Sequence, residues 1–71
     1  MALHVQQFHD DVLNYECDIP VPEGTTDAEY LEAKAASAQK YGWHVERTAE
    51  RVEATKLRWH RVLCRRIFEV R

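Results

Sequence analysis

Seventy-one residues, with 10 Lys and Arg against 12 Asp and Glu and a formal net charge of −2, make one small domain spanning residues 1–71. A composition of 45% hydrophobic and 31% charged residues excludes a disordered tail or a collagen repeat. No apolar run approaches the roughly 18 residues of a membrane span, and two cysteines are too few for a disulfide scaffold.

A chain of this size supports one core worth about 3–5 kcal/mol net, and such domains often gain stability by associating. Enclosing a substrate pocket of roughly 300 Å³ would hollow that core, so the exterior is expected to do the work. The segment Met1-Ala2-Leu3-His4-Val5-Gln6 has no basic stretch followed by an apolar run and does not read as a signal peptide. The expectation is a cytoplasmic protein with reduced thiols.

Residues 1–22 predict a hairpin or extended pair. Leu3, Val5 and Phe8 precede Asp10-Asp11, which has turn chemistry. Beyond it Leu13, Tyr15, Cys17 and Ile19 alternate with Asn14, Glu16 and Asp18, the period of a strand with one buried face. Pro20 and Pro22 end that strand because neither donates to a ladder. After the loop Glu23-Gly24-Thr25, Thr26 and Glu29 have the spacing of a capping box, and Asp27 and Glu29 complement the helix dipole. The helix is predicted over about 26–41. Leu31, Ala35 and Ala38 form its apolar stripe, Tyr30 and Tyr41 lie at the edges, and Gly42 is the left-handed stop.

Residues 43–71 admit two readings. Val45, Thr48, Val52, Thr55, Trp59 and Val62 follow helical spacing, and no Gly, Pro, Asn, Asp or Ser interrupts the segment. Alternatively the segment is a meander of strands at about 43–48, 51–58 and 61–70. In that case Trp43, Val45, Val52, Ala54, Val62, Cys64, Phe68 and Val70 face the core. Charge spacing favours strands. Four apart on a helix, Glu46/Glu50, Arg47/Arg51 and Arg61/Arg65 would be like-charge neighbours costing about 0.2–0.5 kcal/mol each, against one favourable pair at that spacing, Arg65/Glu69. Val62 to Val70 is also rich in β-branched and aromatic residues. The turn chemistry of Thr48-Ala49-Glu50-Arg51 and Trp59-His60 is poor. The preferred fold class is α+β: an N-terminal hairpin or extended pair, one helix, and a C-terminal antiparallel β-meander. The alternative is a mainly α helical hairpin with a long C-terminal helix, able to form a homodimer.

Charge divides along the chain, with net −6 over residues 1–42 and net +4 over 43–71. Either the two halves attract each other across the fold or the basic half forms a binding face. Lys56, Arg58, Arg61, Arg65 and Arg66 interleave with Trp59, His60 and Phe68. Arginine with aromatics suits a protein hot spot, and equally phosphate contact and base stacking. On a strand, Arg61, Leu63, Arg65, Ile67, Glu69 and Arg71 share the face opposite the helix, where an apolar Leu63–Ile67 patch bordered by arginines would form a docking surface. The simpler outcome is that arginine stems cover the two apolar side chains. The partner-binding residues expected are Arg58, Trp59, Arg61, Leu63, Arg65 and Ile67.

Other chemistry is poorly supported. His4, His9, His44, His60, Cys17 and Cys64 lack metal-ligand spacing, so no metal or cofactor is expected. Both cysteines are expected as free thiols, a disulfide being possible only if their strands are neighbours. There is no glycine-rich phosphate loop and no nucleophile motif, and His9, Asp10 and Asp11 are adjacent without a reason to form acid–base geometry. Carboxylates of the first half could mimic nucleic-acid phosphates, or simply keep the surface solvated.

In general character the chain resembles small accessory proteins encoded by phages and prophages: short, single-domain, cytosolic and without a catalytic motif. That resemblance implies an inhibitor that binds and blocks a host protein, and it carries no residue with it. The function expected is a non-enzymatic protein-binding module, with nucleic-acid binding by the basic C-terminal segment as the alternative.

Overall fold

A computed structural model describes residues 2–58 and 61–71. Among them the order of elements is β1 (Ala2–His9), β2 (Val12–Pro20), α1 (Asp27–Lys40), β3 (His44–Arg47), β4 (Arg51–Leu57) and β5 (Leu63–Val70). The α+β reading is correct, and the described residues of 43–71 hold three strands, β3, β4 and β5, rather than one long helix. All pairings are antiparallel, in the spatial order β2-β1-β5-β4-β3. The N-terminal strand is therefore not confined to its hairpin. It pairs with β2 on one side and with the C-terminal strand on the other, joining the two ends of the chain in one sheet.

The turns explain how this order forms. His9 pairs with Val12 across the two-residue loop Asp10-Asp11, and both aspartates have positive φ, 48° and 65°, as a tight primed hairpin turn requires. Asp10 then fastens the hairpin to β5. Its N–H donates to the Leu63 carbonyl at 2.9 Å, and its carboxylate accepts the Leu63 N–H at 3.0 Å. Thr48 supplies the β3–β4 turn with chemistry that its composition conceals: its hydroxyl accepts the Glu50 N–H at 3.4 Å. Between β4 and β5, Arg61 takes φ 59° and donates its N–H to the Arg58 carbonyl at 2.8 Å.

Helix α1 begins as its capping box requires. The Thr26 hydroxyl oxygen accepts the Glu29 N–H at 3.1 Å. The helix ends before Gly42 at φ 87°, where Lys56 donates to the Tyr41 carbonyl at 2.9 Å. Leu31 and Ala35 are buried, Ala38 and Tyr30 half-buried, and Tyr41 exposed. The core is Leu3, Leu31, Ala35 and Val52, with Ile19, Val21, Val45, Phe68 and Val70 packed around it. The helix lies over β3, β4, β5 and part of β1.

The even alternation expected along β2 is interrupted. Tyr15 pairs with Gln7 but Leu13 pairs with Phe8, which leaves Asn14 as an extra residue. Gln7 and Phe8 are on opposite faces of β1, so this bulge moves Leu13 away from the face of Tyr15, Cys17 and Ile19. The Asn14 carboxamide then contacts Gln7 and His9 at 3.4 and 3.3 Å.

Candidate functional site

Cross-strand partners share a face, so the registers define the side of the sheet that α1 leaves uncovered. Glu16 and Asp18 of β2, His4, Gln6 and Phe8 of β1, Leu63, Arg65, Ile67 and Glu69 of β5, and Arg51, Glu53 and Leu57 of β4 lie on it. Through its middle runs a lattice of ion pairs. Arg51 reaches Glu53 at 3.2 Å and Glu69 at 3.9 Å, and Arg65 reaches Glu53 and Asp11 at 3.5 Å each. On the other face Arg47 pairs with Glu32 of the helix. Part of the basic half is thus neutralised by carboxylates of both halves.

Each residue expected at a partner surface has a distinct environment. Ile67 is only 7% exposed. Its register partners are Gln6 and Glu53, whose long side chains flank it on the same face, so its role is packing on the uncovered side. Arg65 is half-buried, with its guanidinium 4.7 Å from the Phe8 ring centroid and its Nε buried without a partner. Leu63 is 36% exposed and pairs across the ladder with Leu57, itself 67% exposed. Arg58 and Arg61 are exposed beside that pair, in the turn that joins the two strands. Trp59 lies outside the described residues. Leu63 therefore stands at one end of the face, next in the chain to the turn that carries Arg58 and Arg61, while Arg65 and Ile67 belong to its interior. Leu57 is an addition that the sequence reading placed on a strand but not at the surface patch.

His4 is a second feature that spacing did not reveal. On β1 it is buried to 9% exposure between two carboxylates of the edge strand. Nδ1 is 2.7 Å from Asp18 and Nε2 is 2.7 Å from Glu16, so both ring nitrogens face acceptors and the imidazolium form satisfies both. The hydrogen bond to Asp18 and then that to Glu16 raise the His4 pKa, against burial and the charge of Arg71. Glu16 is lowered, chiefly by its bond to His4 and then by that from Gln6.

Cys17 and Cys64 are free thiols on the helix side, separated by β1. Among the described residues no helix is long and apolar enough to cross a membrane, and no group of His, Cys, Asp and Glu converges as a metal ion would require. Comparison of the chain with protein-family models, with curated proteins and with solved structures returns no match in any of the three.

Proposed function

We propose that the chain is a small non-enzymatic protein-binding module that acts by covering part of a partner's surface. The observation that carries this reading is the cross-strand pair Leu57–Leu63, exposed side by side on the uncovered sheet face and flanked by Arg58 and Arg61. Adjacent exposed leucines on a domain with so small a core are favourable to bury against a partner, and arginines at their rim supply directional contacts. In this reading the chain acts as an inhibitor of a host protein, as small phage accessory proteins do, with Arg65 and Ile67 holding the surface in shape.

The test is affinity capture from the native host with the wild-type chain, L57D/L63D and R58Q/R61Q. A specific protein retained by the wild type and released by both folded variants is the expected result. Equal capture by a folded L57D/L63D variant rejects this surface. A second reading, nucleic-acid binding, is favoured by Arg58, Arg61 and Arg66, none of which has a carboxylate within ion-pair distance among the described residues. It requires affinity for labelled DNA or RNA that falls log-linearly with salt. Absence of binding at low salt dismisses it.

A further inference from the structure

On the opposite side of the sheet, α1 leaves the β1–β2 hairpin partly uncovered. A groove of about 330 Å³ opens there between the helix and β2, floored by Val5, Cys17, Ile19 and Phe68. A second hollow of about 130 Å³ continues beneath the C-terminal half of α1 toward Trp43 and Tyr41. The two hollows share three lining residues: Lys34, Arg66 and Phe68. Two cations thus stand at the junction of two depressions, the larger mostly apolar and the smaller of mixed lining with Trp43, Ala38, Ala54 and Phe68 as its apolar part.

Both cations are held in place by uncharged groups. The Arg66 guanidinium lies 5.0 Å from the Trp43 ring centroid, and its Nε donates to the Gln7 side-chain amide oxygen Oε1 at 2.8 Å. The Lys34 ammonium lies 5.0 Å from the Tyr30 ring centroid. Neither has a carboxylate within 4.0 Å among the described residues, although much of the remaining basic charge is paired. An arginine fixed through Nε keeps its two terminal nitrogens available for a carboxylate. Aromatic support orders such cations without neutralising them.

We infer that this trough binds an extended peptide of a partner protein, with an acidic side chain between two apolar ones. The carboxylate meets Arg66 and Lys34, and the apolar side chains enter the two hollows. Side chains of an extended chain alternate in direction, so the three contacts come from positions i, i+2 and i+4. The trough faces away from Leu57 and Leu63, and its peptide site stands independently of the function proposed for them.

The test is an NMR titration of the full chain with acetyl-Leu-Ser-Glu-Ser-Phe-amide and with the analogue carrying Gln in place of Glu. Amide shifts are expected to concentrate at Val5, Cys17 and Phe68, with the Gln peptide about tenfold weaker. K34Q and R66Q are expected to weaken the Glu peptide by a similar factor and to erase its advantage over the Gln peptide. R66K retains only part of it, and K40Q, at an exposed position outside the trough, changes nothing. Equal affinity for the two peptides, shifts centred on Leu57 and Leu63, or no binding at about 1 mM peptide each overturns the inference.

Discussion

The His4 imidazole and the Asp18 carboxylate are direct cross-strand neighbours, 2.7 Å apart, with Glu16 closing on the other ring nitrogen at the same distance. This ties the edge strand β2 to β1, the next strand inward, through charge as well as through the backbone ladder.

The clamp makes stability depend on pH with a definite sign. The folded-state pKa of His4 is raised above its ordinary 6.5, so its contribution is complete below 6.5 and is lost as pH rises through the folded value. That of Glu16 is depressed below 4.5, so its contribution is present above 4.5 and is lost as pH falls through the folded value. Denaturant stability should therefore be greatest between these two ranges and decline on either side, and H4Q should remove most of the alkaline decline. An NMR titration placing His4 at or below 6.5 would contradict this.

Replacing Asp11 by glycine should stabilise the protein by about 0.5–1 kcal/mol, because a side chain at φ 65° carries a left-handed cost that glycine avoids. The same substitution removes the Asp11–Arg65 ion pair, which at 3.5 Å and with Asp11 largely exposed is worth less than about 1 kcal/mol. D10G should bring no such gain, since Asp10 also accepts the Leu63 N–H. Urea denaturation of the two variants separates the turn effect from the side-chain effect.

Leu31 is the helix's main anchor, 1% exposed and packed with Leu3 and Val52. Truncation to alanine costs about 2–5 kcal/mol. A domain with about 3–5 kcal/mol in total has little left after that. L31A should lose its cooperative thermal transition, and a transition like that of the wild type would mean that the helix contributes little to the fold.

Ile67 and Leu63 are on the same face of β5 but should behave differently. I67V should lower stability by about 0.5–1.5 kcal/mol and leave partner capture intact, as suits a buried packing residue. L63A should cost under about 1 kcal/mol, since it is partly exposed at the end of the ladder, and should weaken capture. The reverse pattern would exchange their roles.

Local physics was legible in the residues. The Thr26–Glu29 cap, the Gly42 stop, the Asp10-Asp11 turn and the like charges four apart in residues 43–71 each act within a few positions, so the helix and the first hairpin follow from the chain itself, while in 43–71 local charge favours strands and leaves one long helix as the alternative. Strand order, the Asn14 bulge, the clamp on His4 and the burial of Ile67 depend on partners far away in sequence: β1 meeting β5, and Gln6 and Glu53 flanking Ile67. Alternation tells which residues share a face. Only the packed sheet decides which face α1 covers, how far its cover extends, and hence which leucines and cations remain for a partner.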